Sequence, residues 1–211
     1  MLHDAGTPWP ARLRGAETDP LLAPAVPADA APAAAVPQPP APGEAVRVAA
    51  GAARVLHAMT GGAPEGLLLV VVAAVRIVVA GLGGARRVPV VCPAFGEHAS
   101  DGAEFALLAP LDPEAPAAAF VEALHTEMAG AAADPWPDRA ALAARLEASG
   151  AADPAVLGQL AVLCPALHGD RSPAAPTGAV LTAVQDTPDE LRLTAHGTAD
   201  LAGALPRCVA A

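Results

Sequence analysis

Apolar positions along the chain gather in short runs separated by Pro, Gly and Asp, and the spacing within each run distinguishes helix from strand. Residues 45–49 read as a short strand, and 50–59 as a helix closed by Gly61-Gly62. Pro64 suits the first position of the next helix, which runs to about residue 80 and stops at Gly81, Gly83 and Gly84. Residues 88–92 form a short apolar strand ended by Pro93, and 105–111 a second one ended by Asp112-Pro113. A helix over 116–130 follows, with Phe120, Leu124 and Met128 at i, i+4 and i+8 on one face. Asp134-Pro135-Trp136-Pro137 breaks the chain before a helix over 139–148. Beyond it lie a strand (160–164), a loop (165–176), a hairpin (179–184 with 191–195, turning at Pro188-Asp189) and a last helix from about Asp200. The order predicts an α/β fold in which helices cover a mixed sheet.

The apolar run 67–80 changes this picture least. It holds 14 residues, carries Arg76 and is bounded by Glu65 and Gly81, short of the about 20 that a membrane span needs. A buried helix is expected.

The first 44 residues break the pattern. They hold ten of the 24 prolines, in strings such as Pro37-Gln38-Pro39-Pro40. Proline removes backbone donors, and alanine buries too little area to offset ordering. The expected division is a disordered or polyproline-like Ala/Pro-rich tail or linker over 1–44 and a folded domain over 45–211. A PxxP ligand is a weaker reading of the same strings.

Charge and composition exclude two classes of partner. The 211 residues carry a net charge of −10, and all 12 basic residues are Arg. A pI near 4.9 lacks the clustered cations that nucleic acid or an anionic membrane requires. Cys92, Cys164 and Cys208 are odd in number and widely spaced, with no CxxC pair, so neither a zinc site nor a disulfide framework is expected. The Met-Leu-His-Asp start lacks a charged n-region and apolar h-region, so the expected compartment is cytoplasmic, with reduced thiols.

Catalytic spacing is mostly missing. Gly81, Gly83 and Gly84 follow a helix rather than a strand, which reads as a helix stop and not a phosphate cradle. His3, His57, His98, His125, His168 and His196 include no pair at i, i+3 or i, i+4, so no helical metal face is expected, and no cofactor is implied. His168 with Asp170, in Leu167-His168-Gly169-Asp170, is the best catalytic candidate, as a general base and its orienter after a strand. A plain polar turn explains the same four residues. Cys92 before Pro93 reads as a buried small apolar residue.

Several segments together resemble a known family. Val88-Pro89-Val90-Val91-Cys92-Pro93 after the long apolar helix is similar to the "vvGtPvsgR" strand of nonribosomal peptide synthetase condensation domains. Residues 105–111, Phe-Ala-Leu-Leu-Ala-Pro-Leu, fall where that family has "FvNTlPlR", and Pro113-Glu114 matches its next helix start. Asp134-Pro135-Trp136-Pro137 stands near "HQDYPFE", residues 160–164 near "vlFvlqn", and 191–201 near the family's closing strand. The chain from residue 45 thus resembles a truncated, degenerate C-terminal lobe of such a domain, in the chloramphenicol-acetyltransferase-like superfamily. Leu107 and Leu108 replace the motif's Asn and Thr, and Ala132 and Ala133 replace the His-Gln. No HHxxxDG occurs.

The resemblance implies a single lobe that does not transfer acyl groups alone. Its expected role is an interaction or scaffolding element of nonribosomal peptide biosynthesis, with an adenylation or other synthetase domain, a carrier protein or a second lobe as partner. An alternative is one half of a composite acyltransferase whose HHxxxDG lobe is on another chain. A third is an unrelated Ala-rich α/β domain. A lone lobe is also expected to expose an apolar face.

Overall fold

The long apolar run folds as α3 (Pro64–Gly83), with Pro64 at its start, Glu65 in its first turn and Gly84 closing it at φ 84°. In length and hydropathy α3 would suffice to cross a membrane, yet half of it is buried inside the protein. Its Leu67, Leu68, Leu69, Val71, Val72, Val75 and Val79 side chains belong to one continuous core. Each such side chain contributes about 1.5–3 kcal/mol when fully buried. Before it, α2 (Ala50–Thr60) ends at Gly61, whose φ of 61° a side-chain residue rarely adopts. The computed structural model describes residues 7–22, 42–96, 99–171, 173 and 178–197.

Six strands form one mixed sheet in the order β1-β6-β5-β4-β2-β3. They are β1 (Pro42–Arg47), β2 (Val90–Pro93), β3 (Glu104–Leu107), β4 (Leu160–Leu163), β5 (Ala179–Thr187) and β6 (Glu190–His196). β2–β4 and β4–β5 pair in parallel, the remaining neighbours antiparallel. The expected mixed α/β architecture is therefore present. α4 (Ala117–Ala132) buries Phe120, Leu124 and Met128 as the i, i+4, i+8 spacing predicts, and packs on α3 and β3. α5 (Arg139–Ser149) starts where the Asp138 carboxylate accepts from the amides of Ala140 and Ala141 at 2.8 and 3.2 Å.

Three expectations are corrected. First, residues 7–22 are part of the fold and not of a tail. The short helix α1 (Trp9–Arg12) packs against α5, and Trp9, Leu13 and Leu22 lie in the core. The Gln159 side chain accepts from the Asp19 amide at 2.9 Å and donates to its carbonyl at 3.2 Å, so this segment is held by backbone groups as well. β1 likewise begins at Pro42, inside the expected tail, because its edge pairs with β6. The proline strings between 23 and 41 lie outside the described residues. Second, β3 is shorter than 105–111, and it lies at the sheet edge although all four of its residues are buried. Third, the expected loop after β4 opens with a helical turn, α6 (Pro165–His168). The helix expected from Asp200 lies outside the described residues.

Candidate functional site

His168 closes α6 and is 1% exposed. Its Nδ1 accepts from the Cys164 amide at 3.0 Å, which places the proton on Nε2, and that buried N–H has no hydrogen-bond partner among the described residues. Burial is the main cause, and the nearby Arg171 a second one, that lower its pKa from 6.5 to about 4. The neutral ring packs beside Phe95, 6.0 Å between centroids. Asp170 is exposed, and no hydrogen bond joins it to His168. The base and orienter read from the sequence are thus not brought together. The imidazole instead satisfies the backbone N–H of Cys164 at the start of α6, where the helix itself supplies no acceptor. Cys92 and Cys164 are buried free thiols, as expected of Cys92. Burial raises both pKa values, that of Cys164 to about 12. Such thiols are poor nucleophiles. Cys208, His3 and His98 lie outside the described residues.

The structure does bring two of the family-like segments together. Trp136, within 134–137, pairs with Glu104 across the outer edge of β3 by reciprocal backbone bonds of 2.8 and 3.0 Å. The Glu104 side chain, 1% exposed, accepts from Arg139 at 2.6 and 2.9 Å and from the Trp136 indole at 3.3 Å. Trp9 meets Trp136 edge to face at 4.6 Å and donates to the Asp134 carbonyl at 2.7 Å. Leu107 and Leu108, at the positions of the motif's Asn and Thr, are buried in the core. The edge strand is thereby capped rather than opened to a ligand.

A second polar cluster holds the end of β3 from the other side. Arg76 of α3 donates to the carbonyls of Ala109 and Arg86, the latter at 2.7 Å, and lies over the Phe120 ring. Burial lowers its pKa to about 10, so it stays charged at neutral pH. Glu127 of α4 accepts the amides of Leu108 and Ala109 at 2.9 and 2.6 Å. Burial raises its pKa, opposed by those two amides and by Arg76. Between α1 and α4 a void of about 10 Å³ remains. An open groove of about 580 Å³ lies at the far end of the sheet, lined by Arg47, Val48, Ala50 and residues of the β5–β6 turn.

Sequence reading missed Trp9, Arg12, Glu104, Glu127 and Arg139. The available signals were a charge beside an apolar run, as at Glu104, and the two tryptophans, which turn out to touch.

With the sheet order and its capped edge established, solved structures of the same architecture can be compared. The starter condensation domain of rhizomide synthetase matches with TM-score 0.63 at 16% identity, over 96% of this chain and 50% of that one. The chain has a condensation-domain fold. The X-domain from teicoplanin biosynthesis matches with TM-score 0.59 at 17% identity, over 96% of this chain and 51% of that one. The first condensation domain of the CDA synthetase matches with TM-score 0.53 at 20% identity, over 81% and 44%. The chain therefore spans about half the length of the condensation-type domains it resembles. Coverage of 96% exceeds residues 45–211 alone, so the shared fold takes in part of the first 44 residues. No family model and no curated protein matches the sequence.

Proposed function

We propose that this chain is a noncatalytic condensation-like lobe serving as an interaction or scaffolding element in nonribosomal peptide biosynthesis, in the cytoplasm. The observation that carries this reading is the filling of the two family-like segments. Leu107, Leu108 and Trp136 are packed in the core, and Glu104 beside them is committed to Arg139. Buried leucines offer no donor or acceptor for a thioester or an amine. The His168 imidazole, held as a backbone cap, supports the same reading. The partner would be an adenylation or other synthetase domain, or a carrier protein. A pull-down of the full chain against adenylation and carrier domains of a nonribosomal peptide synthetase tests this. Retention at tens of micromolar, the range of weak modular contacts, is expected, and its absence counts against the proposal.

The half-length match favours a second reading, in which the missing half is on another chain and the two form a composite acyltransferase. Mixing this chain with a lobe carrying HHxxxDG and a carrier-bound thioester should then form an amide or ester. No product removes that reading.

A further inference from the structure

We propose that the outer edge of β1 is a docking surface for an extended acidic segment of a partner protein, added as a further strand beside Arg47. The sheet ends in two edge strands, β3 and β1. The first is capped by the bridge between Glu104 and Trp136. Among the described residues nothing pairs with the outer side of β1, which joins only β6. The Val48 amide donates to the Leu191 carbonyl at 2.9 Å, and Arg47, Val46 and Ala45 stand opposite Arg192, Leu193 and Thr194. Bonding alternates along an antiparallel ladder, so Val46 bonds to β6 as Val48 does, while Ala45 and Arg47 turn their N–H and C=O groups outward. Two donors and two acceptors thus line an uncapped edge, the arrangement that accepts an added strand. Pro42 at the strand start offers no donor, which confines pairing to the stretch around Ala45 and Arg47.

The side chains select what that strand carries. Arg47 is exposed, lines the groove of about 580 Å³, and makes no side-chain hydrogen bond or ion pair among the described residues. Its register partner is Arg192, and like charges directly opposite each other destabilise a strand pair. Asp186 is engaged by Arg192 at 2.5 Å, and Asp189 by Arg54 at 2.7 Å. The remaining carboxylate of the groove, Glu190, is on β6, one strand further from the edge. A strand with a carboxylate opposite Arg47 supplies counter-charge at the edge itself. A basic strand, or a second copy of β1 with its own Arg47, adds to the repulsion instead. This edge is at the opposite end of the sheet from β3, so the proposal stands for either role above.

Amide hydrogen exchange of the full chain, read by NMR, tests this with two synthetic peptides, Thr-Val-Thr-Glu-Thr-Val-Thr and the same sequence with Lys for Glu. In the free chain the amides of Ala45 and Arg47 should exchange faster than those of Val46 and Val48. The Glu peptide should slow them, by about twofold at a peptide concentration equal to its Kd, and the Lys peptide should leave them unchanged. In R47E the preference should reverse, and in R47Q it should vanish; if R47E does not fold, R47Q decides. Three results would each overturn the proposal: equal protection of all four amides in the free chain, slowing by neither peptide or by both alike, and slowing on raising the protein concentration without peptide.

Discussion

At the β2–β3 end of the sheet every strand residue is buried, whereas from Leu181 of β5 to Val184 and along β6 buried and more exposed residues alternate. Leu181, Ala183, Leu191, Leu193 and Ala195 enter the core, while Thr182, Val184, Arg192, Thr194 and His196 face outward. Charge follows the same division. Arg76 and Glu104 at the first end are 3% and 1% exposed and held by several hydrogen bonds each. At the second end, Arg54–Asp189 and Arg192–Asp186 are ion pairs at 2.7 and 2.5 Å with both partners open to solvent. The comparison teaches that distance alone does not grade an ion pair. A buried pair broken on one side leaves an uncompensated charge, whereas an exposed one is replaced by water.

Breaking the buried side should have the largest effect. E104A removes a carboxylate partner of Arg139, itself 13% exposed, and is expected to destabilise the protein by about 3–5 kcal/mol. Urea denaturation measures this. A change below about 1 kcal/mol would mean that the β3 edge behaves like the open end. W9A is expected to cost about 3–5 kcal/mol, the range for a buried tryptophan. An unchanged midpoint would return residues 7–22 to the role of a tail.

Acid should act on the buried side too. His168 has a folded pKa of about 4 against 6.5 unfolded, so the unfolded state binds its proton first as pH falls. Stability is therefore lost between about pH 6.5 and pH 4, by at most on the order of 3 kcal/mol, and is intact above that window. Glu127, raised by burial, acts with the opposite sign and is lost as pH rises through its folded value. Stability against pH for H168N, compared with wild type, isolates the histidine. Equal slopes from pH 6.5 to 4 would remove its contribution.

Smaller effects sharpen the boundary. In G83A the new methyl overlaps the Asp19 carboxylate, which is fully buried, so that side chain must shift. A cost of about 1–3 kcal/mol is expected. R54A, on the open side, should leave stability nearly unchanged, and high salt should shrink what change there is. A larger loss would show that α2 depends on this pair for its place on β6.

Much of the fold was legible because local chemistry writes it. Gly61 and Gly84 end helices where positive φ is required, and Phe120, Leu124 and Met128 mark the buried face of α4. The hairpin was readable from its two apolar runs and the Pro188-Asp189 turn between them. The candidate site was much less so. His168 and Asp170 lie two positions apart in sequence, but whether they cooperate depends on how the ring is turned, and the backbone amide of Cys164 holds it by Nδ1 while Asp170 stays at the surface. Trp9 and Trp136 are far apart along the chain, and composition around Trp9 resembles a linker.

The sequence by itself determined the periodicities, the helix ends and the mixed α/β class, because these depend on residues within a few positions of one another. Tertiary structure alone decided the strand order, the placement of β3 at an edge, the docking of residues 7–22 and the partners of Arg76, Glu104 and Glu127. Those depend on desolvation. A buried charge is tolerated only where distant segments supply its hydrogen bonds, and sequence distance carries no record of which segments meet.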